Sequence, residues 1–187
     1  MSLQTWQEAL ISAQQAGTLY NTYTTAKTVL PVQSLVTFPA NYFYIGRALR
    51  ITIIGALSNV ATSAGTITLQ HMMGAVVAFT TGALTFSTTA HTTLPFWMET
   101  LLTCRAIGSS TSANFMGQSW IASQCLNISG ADTTTSHTIL LGPNTAPAVG
   151  TGWDSTAAQT LDFWAGFSNS QSGNGIQIQQ YIVEALN

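Results

Sequence analysis

Catalysis and metal binding need titratable or nucleophilic side chains brought together, and this sequence offers few. It holds three histidines, His71, His91 and His137. The carboxylates are Glu8, Glu99, Asp132, Asp154, Asp162 and Glu184, and the thiols are Cys104 and Cys125. No HxxxH, HxH or CxxC spacing occurs, so the common routes to a metal site are missing. No GxSxG elbow and no phosphate-cradling glycine loop of the Walker type occurs either. A cupin-like centre would need a second ligand on the same strand face as His71, but Met72 and Met73 follow it. A cysteine nucleophile needs a histidine partner and an electropositive setting. Arg105 adjoins Cys104, but adjacent strand residues point to opposite faces and cannot share a microenvironment. The expectation is a protein that is not an enzyme, with no catalytic residues, no metal site and no cofactor.

The rest of the composition points the same way. Charged residues make up 5% of the 187 positions, against roughly 25% in an ordinary soluble domain. Hydrophobic residues are 46%, enough to build a core, so the chain is expected to fold rather than stay disordered. A surface with so little charge is poorly protected against association. The simplest resolution is that other subunits cover much of it. Lys27, Arg47, Arg50 and Arg105 are too few to track a phosphate backbone, so nucleic acid is not an expected partner. No apolar run reaches membrane-spanning length and no polybasic patch is present, so neither is a membrane. The opening MSLQTWQEALISAQQAG lacks the positive start and clean apolar stretch of a secretory signal. Assembly in a cytoplasm is therefore expected. Two cysteines in strand-like segments read as small buried hydrophobes rather than as a disulfide framework.

The elements that would position these residues are strands. Leu49, Ile51 and Ile53 alternate with Arg50 and Thr52. Ile67 and Leu69 alternate with threonines, and Leu161, Phe163, Ala165 and Phe167 with Asp162 and Gly166. Side chains of a strand alternate between faces, so each run has one apolar face. Turn chemistry punctuates the runs, as at Ser63-Ala64-Gly65, Thr81-Gly82, Gly142-Pro143-Asn144 and Asn174-Gly175. The expected strands are 29–38, 42–57, 65–72, 75–80, 83–88, 93–105, 113–127, 137–141, 158–168 and 175–185. Many short strands without an interior helix mean a sandwich or barrel. The long runs 42–57 and 113–127 favour a jelly roll over an immunoglobulin-like domain. The fold expected is all-β: an antiparallel jelly-roll β-sandwich over residues 28–187 with a short N-terminal arm over residues 1–27. The arm is read as extended or as a short helix carrying Trp6, Leu10 and Ala13, packed on a neighbour or on its own body.

Two stretches are apolar or aromatic on both strand faces, Tyr42-Phe43-Tyr44 and Leu94-Pro95-Phe96-Trp97-Met98. A strand apolar on both faces must be covered on both. The candidate interface residues are therefore Trp6, Leu10, Tyr20 and Tyr23 of the arm, with Tyr42, Phe43, Tyr44, Phe96, Trp97 and Met98.

Several runs also resemble motifs of small virion proteins of tailed bacteriophages. They are Asn41-Tyr42-Phe43-Tyr44-Ile45-Gly46-Arg47-Ala48-Leu49-Arg50, Leu102-Thr103-Cys104-Arg105-Ala106-Ile107-Gly108 and Thr111-Ser112-Ala113-Asn114-Phe115-Met116-Gly117. The run from Ala148 to Thr160 and the ending from Gln179 to Asn187 fit as well. The chain thus resembles jelly-roll capsid decoration, or cement, proteins, as on cyanophage heads. That resemblance implies a homotrimer on the outer surface of the head whose partner is the major capsid protein, and which stabilises contacts between capsid subunits. The alternative is a host-attachment or carbohydrate-binding fibre or tail module, with Trp97, Trp120, Trp153 and Trp164 as sugar platforms.

Overall fold

The structure is a computed structural model that describes residues 7–127 and 139–186. Among the described residues, apart from one 3-10 turn at Val32–Ser34, every regular element is a strand. Gln7–Ser12 is β1, Tyr20–Asn21 β2, Lys27–Thr28 β3 and Val36–Phe38 β4. The body runs through β5 (Ala48–Asn59), β6 (Thr66–Met73), β7 (Val76–Phe86), β8 (His91–Ala106) and β9 (Asn114–Ser123). It closes with β10 (Leu126–Asn127), β11 (Ile139–Gly142), β12 (Gln159–Phe167) and β13 (Gly175–Leu186).

These strands form two antiparallel sheets, and the expected β-sandwich is the fold. The first sheet runs β1-β13-β5-β8-β9-β11, with β2 also on β13. The second runs β10-β7-β6-β12-β3, with β4 also on β12. β5 pairs with β13 in the first sheet, and β6 pairs with β12 in the second. This doubled ribbon, passing from one sheet to the other, is the jelly-roll element of the sandwich. The β6–β7 and β8–β9 hairpins each stay within one sheet.

Alternation supplies the core between the sheets. Leu49, Ile51, Ile53 and Leu57 of β5 meet Phe96, Met98 and Leu102 of β8 and Ile67, Leu69, Phe163 and Phe167 from the opposite layer, all buried. The period breaks once in β13, where Gln179 and Gln180 are both exposed. A register shift lies between Ile178 and Gln180 against β5. The extra residue of this bulge returns Tyr181, Val183 and Ala185 to the core side.

Four stretches differ from the sequence reading. Of the run 29–38 only Val36–Phe38 is strand, with the 3-10 turn at Val32–Ser34 before it, because Pro31 has no amide to donate to a ladder. Residues 75–80 and 83–88 are not two strands but the single β7. Gly82 has φ +71°, and the ladder with β6 shifts register there, so Thr81-Gly82 is a bulge rather than a turn. Thr81 is fully buried, and its hydroxyl accepts from the Leu69 amide at 3.1 Å, filling the gap in the ladder. The run 42–57 is a strand only from Ala48 onward. Before that, Arg47 lies 3.9 Å over the Tyr42 ring and donates to its hydroxyl at 2.7 Å, which folds 42–47 into a turn. The run 113–127 splits at Gln124-Cys125, and β10 crosses to the second sheet.

The N-terminal segment is extended over 7–12, and a helix there is not what the chain forms. Its backbone groups go to an open sheet edge instead: β1 pairs along β13, and Ala13 and Gly17 amides donate to the Tyr181 and Ile178 carbonyls at 2.8 and 2.7 Å. The chain then crosses to the second sheet, where β3 and β4 pair with β12. The segment is thus a strap along one open side of its own sandwich.

Candidate ligand-binding face

The side chains that chemistry would need are dispersed. His71 is fully buried on β6, with Nε2 3.0 Å from the Thr100 hydroxyl of β8. Burial lowers its pKa to about 3 from an ordinary 6.5. His91 Nδ1 lies 3.1 Å from Asn59 Oδ1 beside a turn. His137 lies outside the described residues. Cys104 and Cys125 are free and buried, with their thiols donating to the Ala106 and Leu57 carbonyls at 3.3 Å each. Burial pushes both thiols up, Cys125 to about 11. Among the described residues, no group of three or more His, Cys, Asp or Glu is placed to hold a metal ion.

What the fold does assemble is an aromatic and polar face on the outer side of the first sheet. On β8 the buried residues are Phe96, Met98, Thr100, Leu102 and Cys104, so Trp97, Glu99 and Leu101 turn outward. On β9 the buried residues are Phe115, Gly117, Ser119, Ile121 and Ser123, so Gln118 and Trp120 turn outward. The register sets Glu99 opposite Trp120 and Leu101 opposite Gln118. Trp97 is then diagonal to Trp120, a separation that large rings can bridge. Their centroids are 5.4 Å apart with the planes tilted by 38°. β11 extends the face by setting Leu141 opposite Trp120 and Ile139 opposite Ala122.

Beside the Trp pair lies an open cleft of about 440 Å³. Glu99, Leu101, Gln118, Trp120 and Leu141 line it, and Pro143, Thr145 and Pro147 complete its wall. That wall is anchored: Asn144 donates its amide to the Thr81 carbonyl at 2.8 Å and its side chain to the Ala83 carbonyl at 2.7 Å. Gly82 is required here, because a Cβ on it would strike the Asn144 side chain. The Thr81-Gly82 bulge therefore has a second role, as the seat of the cleft wall. Chemically, the face combines large apolar rings with a carboxylate that accepts hydrogen bonds and a carboxamide that donates and accepts them.

The residues singled out from sequence divide sharply. Tyr20, Phe43, Phe96 and Met98 are buried in the subunit's own core, so they do not belong to a surface. Strand alternation explains it, because Leu94, Phe96 and Met98 face the core and only Pro95 and Trp97 of the run 94–98 turn outward. Leu10 and Tyr42 are partly buried against the same core. Tyr23, Tyr44 and Trp97 are exposed. Trp6 lies outside the described residues. Of the four tryptophans offered as platforms, Trp153 is buried against Phe43 and Phe115. Trp164 is half-buried, with its indole donating to Asp162 at 2.7 Å. Only Trp97 and Trp120 come together.

Glu99, Gln118 and Leu141 were missed. A signal existed for the first two, since Trp97 and Glu99, and Gln118 and Trp120, are spaced by two and so share a strand face. Nothing local indicates that the two pairs lie side by side.

No family model matches this sequence, and no curated protein matches it. Among solved structures, the chain is similar to the CBM2 module of the evolved Dit of Lactobacillus casei BL23 phage J-1. The match covers 99% of this chain and 98% of that one at 12% identity, with a TM-score of 0.38. A likeness of that strength carries no argument.

Proposed function

We propose that the protein is a non-enzymatic structural protein of a bacteriophage virion. In this reading it binds the outer surface of the head as a homotrimer and stabilises contacts between major capsid protein subunits. The observation that carries the reading is a folded surface almost without charge that leaves large apolar side chains uncovered. The described residues contain a single ion pair, Arg50 to Glu184 at 3.7 Å. At one end of the sandwich, Tyr44, Ile45 and Ile107 are 45, 65 and 46% exposed.

The runs that resemble virion proteins converge on that end. Gly46 donates to the Cys104 carbonyl and Cys104 to the Arg47 carbonyl, each at 2.8 Å, which ties 41–50 to 102–108. Cys104 pairs with Phe115, and Ala113 and Met116 bridge to Trp153 and Val149. Four runs separated in sequence therefore pack together at that end, and we assign its exposed residues Tyr44, Ile45 and Ile107 the contact with the capsid. Attachment of many copies to the assembled shell alone would stabilise it by mass action.

Light scattering on the purified protein tests the oligomeric part. A mass three times the 19.8 kDa subunit is expected, and a monomer at micromolar concentration would remove the trimer. The Trp97–Trp120 pair with its cleft favours a second reading, a carbohydrate-binding attachment module, because it lies on a different surface from the apolar end.

A further inference from the structure

The cleft beside Trp120 supports a more specific statement, which rests on the carbohydrate reading. We propose that it holds one pyranose ring of a neutral polysaccharide. Trp120 packs on the C–H face of the sugar, Glu99 and Gln118 bond its hydroxyls, and Trp97 receives the adjoining sugar of the chain.

Three observations select this ligand class. The cleft volume of about 440 Å³ lies in the range of small-ligand sites and is open along one side, which suits one unit of a longer chain. Its lining alternates apolar surface from Trp120, Leu141, Pro143 and Pro147 with the carboxylate of Glu99, the carboxamide of Gln118 and the hydroxyl of Thr145. A sugar has that same mixture, apolar ring faces edged by hydroxyls that both donate and accept. A greasy peptide would leave Glu99 and Gln118 desolvated without partners, at a cost.

Charge narrows the class further. Among the described residues, Glu99 is the only ionisable one lining the cleft, and no described Lys, Arg or His lines it. A uronic acid or a phosphorylated sugar would meet a like charge, whereas a neutral sugar meets a strong acceptor for its hydroxyls. The platform is preformed, because β8, β9 and β11 fix the rings by continuous pairing and Asn144 fixes the wall. Little ordering is then left to oppose a weak, repeated contact.

The experiment is affinity electrophoresis of the full chain in gels containing soluble mixed-linkage glucan, mannan, galactomannan, xylan or alginate. Pull-down on insoluble chitin and peptidoglycan accompanies it. Retention by at least one neutral polymer is expected, with Trp120→Ala weakening it about tenfold or more, the scale of one lost aromatic contact with its hydrogen-bonded setting. Leu141→Asp is the second variant. Leu141 is 71% exposed, so the fold tolerates the change while the cleft loses apolar surface for the sugar ring to pack on, and it too is expected to weaken retention. Tyr44→Ala, at the far end, is expected to leave retention unchanged. If the native protein is retained while Trp120→Ala and Leu141→Asp bind as well as it does, the cleft assignment falls and the carbohydrate reading stands. Retention by alginate alone overturns the neutral class. No retention by any polymer overturns both.

Discussion

His71 couples the stability of this sandwich to pH. It lies between the sheets with no exposed surface, its ring centroid 5.2 Å from that of Phe163 and 5.8 Å from that of Phe79. Nε2 meets the Thr100 hydroxyl, and Nδ1 has no partner. Burial without a carboxylate partner disfavours the imidazolium, so the pKa falls to about 3 from 6.5. The unfolded chain takes up the proton near 6.5 and the folded chain only near 3, so between those values the unfolded state binds more protons. The stability His71 allows is therefore complete above about pH 6.5 and is lost as pH falls towards 3. Each unit is worth about 1.4 kcal/mol, so the loss between pH 7 and pH 5 is about 2 kcal/mol. Replacing both partners, His71→Leu with Thr100→Val, removes the titration without stranding the hydroxyl. Urea unfolding at pH 7 and pH 5 is the assay. The native protein is expected to lose about 2 kcal/mol more than the double variant over that interval. Equal losses in the two proteins would refute the reasoning, because every other titrating group is common to both.

Two further expectations come from the core. Gly117→Ala would drive a Cβ into the Phe79 ring and against Leu102, across the gap between the sheets. A destabilisation of about 1–3 kcal/mol is expected in denaturant titration, the usual scale of overpacking. Cys104 and Cys125 are buried, and their thiols are held in the protonated form by burial. An aromatic disulfide reagent at pH 8 is expected to label neither in the native protein and both after denaturation, with labelling kinetics that follow unfolding.

The sandwich was legible because alternation is a local property. The runs at Leu49–Ile53, Ile67–Leu69 and Leu161–Phe167 each display the core face that the structure confirms. Where local signals misled, a tertiary partner decided. Thr81-Gly82 carries turn chemistry, yet β6 continues past it and Thr81 bonds into that ladder, so the strand does not break. Tyr42-Phe43-Tyr44 reads as a two-sided strand, yet Arg47 stacks on Tyr42 and curls the segment. In the candidate site, Trp97 and Trp120 were visible as residues but not as a pair. Their meeting depends on the β8–β9 register, and Leu141 and the proline wall reach them only through β11 pairing and the Asn144 anchor. Register over such separations is set by the whole sheet rather than by any one strand.

The central claim is that this protein decorates a phage head in many copies, and its copy number in purified virions tests that most directly. Quantitative mass spectrometry against the major capsid protein gives the ratio. The account predicts a copy number comparable to that of the shell protein. A handful of copies per particle would contradict it and would move the function to an attachment role for the Trp97–Trp120 face.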